Sequence, residues 1–285
     1  MLSAYVEIGA QSTKPTVDNL REYAVKDTAK GWKKSGIINA TFGQSSLTNW
    51  AAGGDKQTVS ANFLFNAAAN YLTDRYFWDN SLVMEYGVIN SQSSGSQKAS
   101  DRLNLNSVAG RNVSRHWSIA ALVNFKTQFT KGYNYPDREH FISTLMAPAY
   151  FDVAMGVSYK PHASFKLYLS PLAERVTIVM NDSLSSIGAF GVPVGKKSYF
   201  ETGAYLMANL NHTFGENFSI ISSLYMFTPY NSSFGCVDTN WDIMLNYKLN
   251  KYFSATLNTA IRYYDDEIAK IQFKEIFGLG LTYSF

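Results

Sequence analysis

The closing stretch of the chain, Gln272 to Phe285, limits the possible folds more than any other. Its odd positions, Phe273, Glu275, Phe277, Leu279, Leu281, Tyr283 and Phe285, are apolar apart from Glu275. Its even positions, Lys274, Ile276, Gly278, Gly280, Thr282 and Ser284, are polar or small apart from Ile276. A period of two marks a strand with one oily and one wet face. On the edge of a soluble sheet such a strand invites aggregation. In a closed barrel within a membrane it has no free edge, and lipid solvates its oily face. The alternative is the closing strand of a soluble sandwich.

Composition favours the barrel. Charged residues make up 16% of the chain, against roughly a quarter in soluble domains, while aromatics reach 15%. No run approaches the ~18–20 apolar residues of a membrane helix, and mean hydropathy is −0.15. A polar lumen behind an apolar exterior gives this profile. The net charge of +3, with no stripe of Lys and Arg, gives no reason to expect nucleic acid as a partner. Cys236 is the only cysteine, so neither an intrachain disulfide nor a thiolate zinc site can form. No cofactor is implied.

Met1 to Ala10 lacks a basic start and a long apolar stretch, and reads as the remnant of a signal peptide with the mature chain beginning near Gln11. Gln11 to Gly31 carries mixed charges and reads as a periplasmic lead-in, either a short helix capped by Asp18 through about Ala29 or a disordered tail. From Trp32 to Phe285 one pattern repeats. Alternating segments fall at about 32–43, 56–72, 76–89, 101–113, 116–129, 148–160, 164–179, 197–213, 217–229, 238–249 and 251–264, before the closing strand. The expected fold is therefore all-β, a transmembrane antiparallel up-and-down barrel of about twelve strands. The seventh segment blurs at Pro171, and a further hairpin within 171–196 would make fourteen; the ninth is apolar on both faces in places.

The connections support the count independently. Turns after even strands are tight, as at Thr73-Asp74-Arg75, Ser114-Arg115 and Asn250-Lys251. Those after odd strands are mostly longer, at 43–55, 90–100, 130–147 and 180–196. Short turns and both termini then belong on the periplasmic side, with long loops outside.

Chemistry has three candidate locations. Glu85, Lys126, Asp152, Glu201, Asp242, Lys248 and Arg262 fall on the wet faces and are expected to line the lumen, either as a cross-braced plug or as a narrow polar pore. Trp50, Tyr133, Tyr135, Tyr230 and Phe234 fall in outer loops, where rings suit contact with glycans or another protein. Asp265-Asp266-Glu267 is an oxygen cluster, which more often means a solvated loop than a metal site. For enzyme chemistry, His140 lies three residues before Ser143 in an outer loop, with no orienting acid placed beside them. No Gly-x-Ser-x-Gly elbow or metal-spaced His pair occurs.

Several stretches resemble a family of Bacteroidota outer-membrane barrels of unknown function (DUF3078-like). They are Ser46-Leu47-Thr48-Asn49-Trp50-Ala51-Ala52-Gly53-Gly54, Thr127-Gln128-Phe129-Thr130 with Gly132-Tyr133-Asn134-Tyr135-Pro136, Ala147-Pro148-Ala149-Tyr150, Leu169-Ser170-Pro171-Leu172 and Gly188-Ala189-Phe190-Gly191-Val192. The closing Leu279, Leu281, Tyr283 and Phe285 resemble the insertion signal of bacterial outer-membrane barrels. The resemblance implies an outer-membrane location in a Gram-negative cell, contact with outer-membrane lipid and insertion by the barrel-assembly machinery. It implies no activity. The expectation is a non-enzymatic barrel serving as a structural or accessory subunit alongside other outer-membrane proteins or lipoproteins. A narrow passive channel is the alternative, and an outer-leaflet lipid-modifying enzyme comes third.

Overall fold

The computed structural model describes residues 30–46, 57–162, 164–215, 217–231, 235–250, 253–264 and 268–284. Long period-two segments become long strands. In chain order these are β1 (Gly31–Ser46), β2 (Gln57–Leu72), β3 (Tyr76–Ser91), β4 (Gly95–Asn112), β5 (Trp117–Thr127), β6 (Gly132–Tyr133), β7 (Phe141–Ser143), β8 (Ala149–His162), β9 (Phe165–Ile178), β10 (Ser198–Phe214), β11 (Phe218–Pro229), β12 (Asp238–Lys248), β13 (Phe253–Tyr264) and β14 (Ile268–Ser284). β6 and β7 form a separate small hairpin in the loop between β5 and β8. The other twelve strands pair in sequence order into a closed, wholly antiparallel barrel. β1 and β14 complete the ring through five partners, from Ile37 with Ser284 to Thr41 with Gly280.

Alternation along each strand sets what faces where. On β5, Ala120, Leu122, Asn124 and Lys126 are buried and point inward, while Trp117, Ile119 and Val123 are exposed. The same parity exposes Phe151, Val153, Met155 and Val157 on β8, and Phe273, Phe277 and Leu279 on β14. Glu275 stands among the last group as an outward charge. An exterior this apolar, on a sheet whose backbone groups are satisfied strand to strand, is at equilibrium in hydrocarbon rather than in water. Rings gather where the tight turns lie: Trp32 stands 5.3 Å from Tyr71 and 5.7 Å from Trp78, and Trp117 stands 4.6 Å from Tyr159. This is the aromatic belt of one membrane interface.

Three expectations change. The fourteen-strand alternative is not realised. β9 runs through Pro171 with a register shift between its pairs to Met155 and Val157, and residues beyond it form a short helix α1 (Asp182–Ser186) and a 3-10 turn (Ala189–Gly191). Proline lacks the N–H for an unbroken ladder, so the strand bulges rather than ends. The long outer loop expected over 90–100 is a tight turn, because β3 and β4 continue to Ser91 and Gly95, and Gly95 takes the positive φ of 63° that the turn requires. Water bathes both faces of a strand beyond the membrane, so that Ser- and Gln-rich stretch shows no alternation. Finally, β1 begins at Gly31, one residue before the expected segment. The readings of 1–10 and of the helix capped by Asp18 fall on residues outside those described, as do Trp50, Phe234, Asp265-Asp266-Glu267 and Phe285.

Candidate functional site

Inward-facing side chains form two layers. The first is apolar: Val108, Ala120, Leu122, Ala154, Tyr168, Ala173, Tyr205, Met207, Tyr225 and Phe227 make one buried cluster, with Phe77 packed against it. It spans strands β4 to β11, which explains why β11 reads as apolar on both faces. Its rings lie close to backbone, and glycine makes the room. A Cβ at Gly203 would sit 2.3 Å from the carbonyl oxygen of Thr228 and 2.9 Å from the ring of Phe227. The Tyr168 hydroxyl donates to the carbonyls of Ala120 (3.2 Å) and Ala154 (3.0 Å). A buried phenol with its hydrogen bond satisfied stabilises such a layer instead of weakening it.

The second layer is ionic. Asp152 is buried, accepting Lys126 Nζ at 3.3 Å on one oxygen and Arg175 Nε at 3.0 Å on the other. Arg175 continues to Asp238 at 2.8 Å, with its guanidinium 4.0 Å from the centre of the Phe227 ring. Arg262 meets the wholly buried Asp242 at 2.6 Å, and Arg102 meets Glu85 at 2.7 Å. Two pairs are chords across the interior: Arg175 on β9 reaches β12, and Lys166 on β9 reaches Asp79 on β3 at 3.3 Å. The cavity between Lys126, Tyr150, Arg175, Tyr205, Tyr225 and Tyr264 measures about 10 Å3, at the lower limit for a single water.

The expected lumen charges thus have definite places. Glu85, Lys126, Asp152, Glu201, Asp242 and Arg262 face inward, Glu201 half-buried at the Arg175 level. Lys248 shares the inward register but stands exposed at the periplasmic end of β12. Sequence reasoning missed Arg102, Lys166 and Arg175. Arg102 has the parity of Asn104 and Asn106, and Lys166 that of Ser170, so both were within reach. Arg175 was hidden because the bulge after Pro171 reverses the parity of β9.

The outer end is tied down by a third set of contacts. Asp101 accepts the backbone N–H groups of Phe129 and Thr130, the Thr130 hydroxyl (each 2.8 Å) and Lys98 Nζ (2.9 Å). Gln128, also buried, accepts Lys98 Nζ at 3.1 Å and the Ser143 hydroxyl at 3.2 Å, and donates to the carbonyl of Thr144 at 3.0 Å. These bonds pin the loop over 128–148, whose Phe141 and Ala147 pack with Val179, Leu184 and Val192 of the next outer loop. Tyr133 and Tyr135 are half-buried in that loop, 6.2 Å apart, and Tyr135 is capped by Arg138. Tyr230 is exposed and donates its hydroxyl to the carbonyl of Pro171 at 2.9 Å. An acid that the sequence did not place, Asp137, stands 2.9 Å from His140 Nδ1, but Ser143 donates to Gln128 rather than to His140, so the nucleophile and base of an acyl-transfer site are not joined. Among the described residues no group of three or more acidic, His or Cys residues stands close enough to hold a metal ion.

A ring of strands without a free edge, greasy outside and charged within, is an outer-membrane β-barrel. Its overall shape is similar to the COG4313 outer membrane channel from Pseudomonas putida F1 (15% identity, 90% of this chain and 96% of that one, TM-score 0.44). It is similar also to the translocator domain of the autotransporter NalP from Neisseria meningitidis (8%, 91% and 90%, TM-score 0.40) and to outer membrane phospholipase A from Escherichia coli (12%, 88% and 97%, TM-score 0.41). The fold stands on the strand ladders above, not on these likenesses, and they assign no activity. No curated protein matches the chain in sequence. Over residues 42–133 the chain matches the family model described as "Protein of unknown function (DUF3078)", the family that its motifs resemble.

Proposed function

We propose that this barrel is a non-enzymatic structural or accessory subunit of an outer-membrane protein assembly. The observation that carries the reading is the braced interior on the side of β4 to β12. Ionic chords and a layer of tyrosine and phenylalanine rings cross that side, and the cavity among Lys126, Tyr150, Arg175, Tyr205, Tyr225 and Tyr264 measures about 10 Å3. A wide diffusion pore keeps its lining wet and unpaired, whereas here the charges are spent on one another. Ser143 donates to Gln128 and is not joined to the His140–Asp137 pair, which speaks against Ser143 as a nucleophile activated by His140. The half-buried rings of the pinned outer loop, together with exposed Tyr230, offer a surface for another outer-membrane protein or a lipoprotein. Purification from native membranes in mild detergent tests this, with a co-purifying envelope protein at fixed ratio as the expected result. A lone monomer would count against it.

One observation favours a second reading, the narrow channel. Along β1, β2 and β13 the inward Ser35, Asn39, Thr41, Asn62, Thr256 and Asn258 keep part of their surface open, on the side opposite the apolar cluster. Discrete conductance steps in planar bilayers from the purified wild-type chain would favour this passage over the scaffold.

A further inference from the structure

A concavity larger than the one beside Arg175 lies on the lipid-facing wall rather than in the lumen. It measures about 600 Å3, within the range of ~300–1,000 Å3 typical of small-molecule sites. Ala67 and Ala69 form its floor, Leu82, Leu105 and Phe125 its walls, and Lys34 stands at its rim. The dent follows from the side chains: Ala67 and Ala69 stand on β2 beside the larger Leu82, Leu105 and Phe125, so the wall is locally thin.

The strand registers place its chemistry in three successive outward rows. Nearest the tight turns is the aromatic row, Trp32 beside Tyr71 beside Trp78. Two residues along each strand, roughly 7 Å further in, comes Lys34 beside Ala69 beside Asn80 beside Ser107. The next row is wholly apolar, Ala67 beside Leu82 beside Leu105 beside Phe125. The polar groups of the middle row satisfy each other. Trp78 Nε1 donates to the Ser107 hydroxyl at 2.8 Å, that hydroxyl donates to Asn80 at 2.8 Å, and Asn80 donates to the carbonyl of Ala69 at 3.1 Å. The amine of Lys34, outward and exposed, is left facing the membrane where hydrocarbon begins.

A cation on a lipid-facing wall is costly unless it reaches the headgroup region or an anion. Rings at the interface, one cation at the boundary, then an apolar trough, is the order of parts in a phospholipid: headgroup, phosphate, acyl chain. We propose that this groove is a binding site for one phospholipid of the periplasmic leaflet, its phosphate on Lys34 and one acyl chain lying over Ala69 and Ala67. The site is independent of whether the lumen conducts and of what the outer loops contact.

The test is native mass spectrometry of the detergent-purified protein, first as isolated and then after delipidation and titration with phosphatidylglycerol or phosphatidylethanolamine. One retained phospholipid per chain is expected as isolated. Ala69→Phe, which fills the trough, should reduce occupancy at least tenfold, and Lys34→Gln several-fold while leaving the trough open. Gel mobility before and after heating reports that each variant is folded; if Ala69→Phe is not, Ala67→Leu replaces it. Equal lipid occupancy in wild type, the Lys34 variant and a folded trough variant overturns the proposal. So does a photo-crosslinker at position 69 that yields a protein adduct instead of a lipid adduct.

Discussion

Removing the Asp152 carboxylate is the sharpest perturbation of the lumen, because two cations converge on it and nothing near it is wet. At 3.3 Å from Lys126 and 3.0 Å from Arg175, each attraction is roughly 5 kcal/mol at an effective dielectric of about 20. Much of that offsets the desolvation of three charges, so the gross figure overstates what the pair contributes. Truncation of one partner is different: it leaves buried cations facing a vacated place, at a cost of about 3–5 kcal/mol. Arg175 keeps Asp238 at 2.8 Å, which puts Asp152→Ala near the lower figure, about 3 kcal/mol. At tenfold per 1.4 kcal/mol this is roughly a hundredfold in the folded-to-unfolded ratio. Asp152→Asn, which keeps an acceptor but no charge, should fall between. Urea unfolding in detergent micelles, followed by tryptophan fluorescence and by the heat-dependent gel shift, measures it. If Asp152→Ala unfolds within about 1 kcal/mol of wild type, the ionic layer is not holding the interior and the case for a braced lumen collapses.

Three further outcomes separate the layers. Asp74→Ala breaks the ion pair with Lys30 at 2.8 Å, but both side chains are largely exposed, so the same assay should change by less than about 1 kcal/mol. Gly203→Val forces a side chain against the Thr228 carbonyl and the Phe227 ring; overpacking of this kind costs about 1–3 kcal/mol, and an unchanged unfolding midpoint would show that the ring is free to move. Asp137, in the outer loop, is held below the usual carboxylate range by the backbone N–H of His140, then by that of Glu139 and by the His140 ring. Its contribution to loop order is therefore complete above the unfolded-state value, ~3.9, and is lost as pH falls through the depressed one. Hydrogen exchange at 137–140 should rise in that acid window in the wild type, and Asp137→Asn should abolish the step.

What could be read from the sequence followed what solvates each residue. Where lipid lay on one side and a polar lumen on the other, as along β5, β8 and β14, alternation gave strand, face and register together. Where both faces were apolar, as on β11, pattern failed because Tyr225 and Phe227 pack into a greasy layer inside the barrel and Ile221 packs inward against Met244. Where both faces met water, as from Ser91 to Gly95, pattern failed for the opposite reason. Most charges of the lumen were legible singly, Arg175 being hidden by the bulge in β9, but none was legible as a pair. Lys166 with Asp79, and Arg175 with Asp238, join strands that are not neighbours in the ladder, and no local period can encode a chord across a ring. Closure supplies that information. Once β1 meets β14, inward residues far apart in sequence face each other at fixed height, and charges that would have lined a wet pore become each other's counter-ions. The alanines of β2 follow the same logic from outside: nothing in a period of two distinguishes an ordinary lipid-facing position from one left small, and only the neighbouring Leu82, Leu105 and Phe125 turn Ala67 and Ala69 into a trough.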